Sequence, residues 1–355
     1  MRPQLIIDCG GSVLSALLVT ADGQVVPCSQ EIRGVATRHV STSLLFEPRI
    51  SEDSDFIWED ALETLARSGG RDFFQRARRV GLRRPWDPRA AADTLPLASP
   101  LAVLSSPVAL ADANVRRILP GIAAVLMDAL LEPMFTFVAD RQLAFRDVDA
   151  IVILPAHAGR AARITLERVF RRRAFHRLTV IRREIAAAMA LVERSPSECV
   201  VIDASDDDLH LHRVAVDGVA AERRFRTIAS ATVRGFGWGE WMGRVAAALR
   251  VTPSSAFERG LTALLTGSPE SLSSSLTHTR LQSVLDDGWI ERQHRDVTER
   301  LFEPLGRLSA ASDAPRVYAG EIFALDAVQR SFGEPLAGEP PALDRVTRGA
   351  AAAMQ

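Results

Sequence analysis

The sequence predicts an α/β protein built on a duplicated unit, and two observations carry that prediction. The first is a stretch that occurs twice. Leu5-Ile6-Ile7-Asp8 runs into Cys9-Gly10-Gly11-Ser12, an apolar segment from Val13 to Val19 and the turn Asp22-Gly23. Val200-Val201-Ile202-Asp203 leads through a polar tip into Leu209 to Val216 and the turn Asp217-Gly218. An offset of 195 lays Asp8 on Asp203 and Asp22-Gly23 on Asp217-Gly218. An apolar run ending in Asp, followed by a second run closed by Asp-Gly, signals a β-hairpin, because Asp-Gly supplies the positive φ of a tight turn. The second observation is an alternation of strand and helix: Ala150 to Leu154, an Arg-rich helix from Arg160 to about Arg172, Leu178 to Ile181, a helix Ile185 to Val192, then the strand that carries Asp203. Short connections between such elements make the right-handed unit of an α/β domain. Residues at the carboxyl ends of its strands face the ligand crevice, so Asp8, Glu184 and Asp203 are expected to converge there.

Composition bounds the reading. The 355 residues suffice for two lobes with separate cores, and 47% hydrophobic content is ordinary for a globular chain. All 43 basic residues are Arg, and 44 acids bring the formal charge to −1. That balance argues against bulk electrostatic binding of nucleic acid or anionic membrane, and the run Arg171-Arg172-Arg173 with Arg177 has no interleaved aromatics that would favour RNA. Cys9, Cys28 and Cys199 are odd in number and lack metal-ligand spacing, which points to a reducing compartment. The chain enters a strand at once, and no segment reaches the roughly 18 uninterrupted apolar residues of a membrane span. A cytoplasmic protein is expected.

The remaining elements follow in order. Val40 to Phe46 reads as a strand, Trp58 to Ser68 as a helix, and Phe73 to Leu82 as a basic helix or turn. Three prolines and several serines between Leu95 and Leu110 read as a connector. Asp112 or Asn114 caps an amphipathic helix with Ile118, Ile122, Val125, Leu126 and Ala129 at helical spacing, which Pro133 is expected to end. Val251 to Leu285 is Ser- and Thr-rich and weakly periodic; Trp289 to Phe302 recovers as helix, with Pro304 beyond its end. His210 and His212 alternate on their strand, either as a half-exposed face or as metal ligands with Asp208.

Several motifs, taken in order, resemble the nucleotide-binding domain of the heat-shock protein 70 (DnaK-like) chaperones, within the actin and sugar-kinase superfamily. Asp8-Cys9-Gly10-Gly11-Ser12 is similar to the first phosphate loop, Asp-X-Gly-Thr-Thr in the family. Phe74 to Gly81 resembles the segment bearing the catalytic Lys followed by Arg, a gapless overlay placing Ala77 at the Lys and Arg78 at the Arg. Leu154-Pro155-Ala156 and then Glu184-Ile185-Ala186-Ala187-Ala188 look like the Val-Pro-Ala strand end and the Glu-Pro-X-Ala-Ala connecting helix. Gly237 to Met242 resembles the Gly-Gly-Glu segment, Val317 to Gln329 with Gly320 the adenosine loop and its helix, and Arg348-Gly349-Ala350-Ala351 the last helix.

The resemblance implies an actin-like ATPase (ribonuclease H-like) duplicated fold, with two lobes around a central nucleotide cleft. Lobe I would span residues 1–185, with 335–355 returning to it, and lobe II residues 186–334. It further implies a nucleotide domain with neither the family's β-rich substrate domain nor its helical lid. Asp8, Gly10, Gly11, Ser12 and Gly320 would hold ATP or ADP. Asp8 and Asp203 would hold Mg²⁺ through water, Glu184 would orient the attacking water, and Arg78 would neutralise the γ-phosphate.

Departures from the family weaken that site. Its second phosphate loop, Asp-X-Gly-Gly-Gly-Thr, lets backbone N–H groups approach the phosphates. Here Asp203-Ala204 is followed by Ser205-Asp206-Asp207-Asp208, which puts carboxylates where donors belong. Ala77 stands at the Lys, Glu321 replaces the second adenosine-loop glycine, and nothing matches the Lys and Arg that sandwich adenine. Glu184 also reads as an ordinary acid at a helix N-terminus. Three functions follow as expectations: a divergent DnaK-like adaptor or regulator with weakened or lost ATP hydrolysis, acting through a protein partner; a working Mg²⁺-dependent ATPase; or a small-molecule kinase of the same superfamily.

Overall fold

The computed structural model describes residues 1–9, 13–32, 35–37, 39–41, 44–46, 82–83, 95–97, 127–128, 131–155, 158, 160–191, 197–204, 208–218, 223–234, 236–251, 261, 287–308, 314–324, 328 and 342–354. The first part of the chain is strand-rich: β1 (Gln4–Cys9), β2 (Val13–Val19), β3 (Val25–Pro27), β4 (Gln30–Ile32), β5 (Val35–Thr37) and β6 (His39–Ser41). Three short strands follow, β7 (Leu44–Phe46), β8 (Leu82–Arg83) and β9 (Leu95–Leu97). A helical segment over residues 131–140 leads to β10 (Asp149–Leu154), α1 (Arg160–Arg172), β11 (Arg177–Arg182) and α2 (Arg183–Met189). The later elements are β12 (Glu198–Asp203), β13 (Leu209–Asp217), β14 (Arg224–Val233), α3 (Trp238–Leu249), α4 (Asp287–Leu308), β15 (Arg316–Ala319) and α5 (Ala342–Met354).

The protein is mixed α/β with two mixed sheets. In the six-stranded sheet the order is β11-β10-β1-β2-β3, with β6 also paired to β2; in the four-stranded sheet it is β14-β13-β12-β15. β1 runs antiparallel to β2 and parallel to β10, while β12 runs antiparallel to β13 and parallel to β15. The sequence offset of 195 carries one hairpin ladder onto the other in register. Asp8 lies opposite Ser15, and Asp203 opposite His210. A glycine with positive φ follows the second strand of each hairpin, +83° at Gly23 and +89° at Gly218, as the two Asp-Gly turns require.

Among the described residues three apolar clusters hold the sheets. Leu5, Ile7 and Cys9 point from one face of β1 into a core with Phe135, Phe170 and Leu166. Val200 and Ile202 point from one face of β12 into a second core with Trp241, Phe236 and Tyr318. The opposite faces of the two strands share the third: Ile6, Cys199 and Val201 pack with Ala186, Ala187 and Ala188 of α2 and with Val346 and Ala350 of α5. Helices α2 and α5 therefore lie between the sheets. Both faces of β1 and β12 are covered, which is why these strands read as unbroken apolar runs.

The structure changes several element assignments. Helix α2 begins at Arg183, two residues before the expected start, which draws Arg183 and Glu184 into its first turn. Val40 to Phe46 holds parts of two strands, β6 and β7. Leu95–Leu97 is strand β9, not connector; among the described residues it pairs with β7 alone, so Pro96 sits on an edge strand, where proline is tolerated. The chain is helical on both sides of Pro133, where buried Leu131, Met134, Phe135 and Val138 outweigh the roughly 3 kcal/mol that proline costs a helix interior. Likewise α4 continues through Pro304 to the buried Leu308. The helices expected over Trp58 to Ser68 and through Ile118 and Ile122 lie outside the described residues, as do Ala77 and Arg78.

Candidate functional site

Side chains alternate along a strand, so Asp8 shares the inner face of β1 with Ile6, and Asp203 shares the inner face of β12 with Val201. The two carboxylates thus face the space between the sheets from the ends of corresponding strands. Helix α2 starts directly after β11, and its first residue enters that space. Arg183 Nη2 lies 3.1 Å from Asp8 Oδ2, and Nη1 lies 3.6 Å from Asp203 Oδ1. All three residues are buried, at 2% exposure for Asp8 and Arg183 and 3% for Asp203. One guanidinium therefore ties a strand of the first sheet to a strand of the second.

Glu184 is 1% exposed and turns toward the second sheet. The Thr227 hydroxyl on β14 donates to its Oε1 at 3.1 Å, and Nη1 of the exposed Arg182 lies 3.8 Å from the same oxygen. Oε2 is buried and makes no hydrogen bond among the described residues. His212 on β13 belongs to the same cluster. Its Nδ1 is 2.8 Å from Ser230 Oγ, and its Nε2 is buried without a hydrogen-bond partner among the described residues. Burial lowers the His212 pKa, against smaller upward pulls from Glu184 and Asp203, while His210 and Arg182 add to the lowering. The ring is therefore neutral at pH 7. Cys9, adjoining Asp8, has its thiol pushed up by burial and by that carboxylate, and Cys28 is raised by burial to about 12. Neither is a ready nucleophile.

The expected Mg²⁺ does not fit this arrangement. A hydrated divalent ion between Asp8 and Asp203 would occupy the place that Arg183 takes, and at about 4 Å from a guanidinium its double charge would meet a repulsion of about 8 kcal/mol at an effective dielectric of 20. No three His, Cys, Asp or Glu side chains among the described residues are arranged to hold a metal. His210, His212 and Asp208 thus form no three-ligand metal group among the described residues, and His212 is buried, which corrects the half-exposed face expected of it. For the nucleotide itself, Gly320 is buried at the end of β15 with φ +112°, next to Ala319, whose carbonyl accepts from the Ala204 N–H at 3.0 Å. The loop tips Gly10, Gly11, Ser12 and 205–207 lie outside the described residues.

Of the residues expected at the site, the structure brings together Asp8, Asp203 and Glu184, and sets Gly320 beyond the strand next to Asp203. The sequence reading missed Arg183, the residue that joins the carboxylates. Its signal was a charged side chain directly preceding Glu184 at a strand-to-helix junction. Thr227 and Ser230 were missed because β14 was not recognised. Arg173, read as part of a basic run, is engaged with the Asp128 carboxylate at 2.9 and 2.8 Å and with Glu132 at 2.5 Å, and its pKa is raised chiefly by the Asp128 hydrogen bonds.

No protein-family model matches the chain, and no curated protein matches it. No helix among the described residues is long and apolar enough to cross a membrane.

Proposed function

We propose that the chain is a divergent, actin-like nucleotide-domain protein of the DnaK type whose ATP hydrolysis is weakened or lost, and that it works as an adaptor or regulator through a protein partner. Lobe I would comprise residues 1–185 with 335–355, and lobe II residues 186–334. The matched registers of the two hairpins and the helix pair between the sheets support the duplicated fold. One observation carries the functional part: Arg183 fills the space between Asp8 and Asp203, where a hydrolytic site of this kind needs its metal ion. Buried Asp8, Asp203 and Glu184, with the Arg183 guanidinium already engaged by the first two, also make a poor seat for a triphosphate.

The test is a calorimetric titration of ATP and ADP, with and without Mg²⁺, alongside a phosphate-release assay. Weak or absent binding and no turnover are expected. Mg²⁺-dependent turnover at about 1 per second, a typical enzymatic rate, would overturn the proposal. It would favour a second reading, an active ATPase, for which Oε2 of buried Glu184, without a hydrogen-bond partner among the described residues, is the supporting observation.

A further inference from the structure

We propose that the Arg183 guanidinium is the permanent cation of this cleft, standing in for a divalent ion between the carboxylates that the two sheets present to one another. The inference rests on the reading of the Asp8–Asp203 space as the remnant of a nucleotide site, yet its test uses no nucleotide, so the two can fail separately. Asp8 and Asp203 occupy equivalent places in the two hairpins, 195 residues apart, and each comes from the inner face of its sheet. Two carboxylates brought together at 2% and 3% exposure need a compensating positive charge. Arg183 supplies it from the first turn of α2, reaching Asp8 at 3.1 Å and Asp203 at 3.6 Å while itself 2% exposed.

A guanidinium differs from a metal ion in three ways that matter here. It is covalently held, so the cleft cannot be emptied by a chelator. Its charge does not titrate below about pH 12. Its planar fork addresses two carboxylates at once without retaining water, whereas Mg²⁺ keeps several waters and through them reaches a phosphate. Exchange of ion for arginine therefore converts a site that opens and closes with its ligand into a fixed tie between the sheets.

Removal of the guanidinium should recreate the ion site. Mn²⁺, read by electron paramagnetic resonance on the full chain, is the probe. The parent is expected to leave the free-ion signal unchanged up to about 1 mM, the weak end of oxygen-ligated divalent sites. Arg183→Asn should melt at least about 5 °C lower in chelator, take up Mn²⁺, and regain about 2 to 4 °C in 10 mM Mn²⁺; adding Asp203→Asn should abolish both uptake and recovery. Arg183→Lys keeps a cation and should exclude Mn²⁺ as the parent does, a comparison that stands even if the Asn variant fails to fold. Uptake of Mn²⁺ by the parent that Asp203→Asn removes, uptake by the Lys variant, or a folded Arg183→Asn chain indifferent to Mn²⁺ would each overturn the proposal.

Discussion

His212 shows how one buried side chain imposes a pH limit on the fold. Its pKa is lowered from 6.5, first by burial, so the folded ring stays neutral while the unfolded ring takes up a proton near pH 6.5. The unfolded state then binds more protons as pH falls, and stability declines below about pH 6.5, by at most about 1.4 kcal/mol per pH unit for a single group. Above that value the contribution is complete. Glu184 and Asp203 oppose the effect, and His210 and Arg182 reinforce it. Urea midpoints at pH 7.5 and 5.5 check the sign: the parent should lose stability at the lower pH, and His212→Gln should lose measurably less. Equal losses in both would mean that the ring is protonated in the folded chain, held by the neighbouring carboxylates.

At the scale of elements, the crossing of α2 and α5 depends on small residues. Gly349 sits so close to α2 that an added Cβ would lie 2.3 Å from the Ala186 carbonyl oxygen and 2.7 Å from the Ala190 nitrogen. Both are backbone atoms, so relief would require the helices to move apart. Gly349→Ala should therefore cost about 2 to 3 kcal/mol, the upper part of the range for overpacking, and lower the melting temperature of a chain this long by about 3 to 4 °C. An unchanged melting temperature would show that the helices can separate freely.

The same elements mark how far the sequence was legible. β1, β10 and β12 were readable because burial on both faces makes them continuous apolar runs, and the Asp-Gly turns marked where the hairpin partners of β1 and β12 give way to the next segment. β14 was not. Its exposed and half-buried positions alternate on an edge of the sheet, and polar Thr227 and Ser230 point toward the inner cluster, so its pattern carries no apolar stripe. The proline-based helix ends failed for a related reason, since the apolar residues just beyond Pro133 and Pro304 are buried against partners elsewhere in the chain, which a local proline signal does not register. Asp8, Glu184 and Asp203 were placed by the rule that strand ends line a crevice. Arg183 was not, because an Arg adjoining another Arg reads as solvated surface until the partner carboxylates, 175 residues upstream and 20 downstream in the chain, are brought beside it.

For the whole molecule, the central cluster decides whether two sheets behave as one body. Among the described residues its ten buried Val, Leu and Ile side chains come from β1, β2, β10, β12, β13, β15, α5 and the chain just after α2, so neither sheet completes it alone. Burying one such side chain contributes about 1.5 to 3 kcal/mol, so the cluster represents about 15 to 30 kcal/mol before conformational entropy is set against it. If only a quarter of that depends on the opposite sheet, the coupling is about 4 to 8 kcal/mol. A domain's entire stability is typically about 5 to 15 kcal/mol. Coupling of that size makes separate melting of the halves unfavourable, and the Arg183 tie adds to it with little screening by salt, since its charges are buried. Differential scanning calorimetry should therefore give a single transition with calorimetric and van't Hoff enthalpies in agreement. Gly349→Ala and Arg183→Asn, which loosen the helix crossing and cut the tie, should broaden or divide that transition when combined. Two resolved transitions in the parent would mean that the central cluster joins the sheets too weakly to couple them.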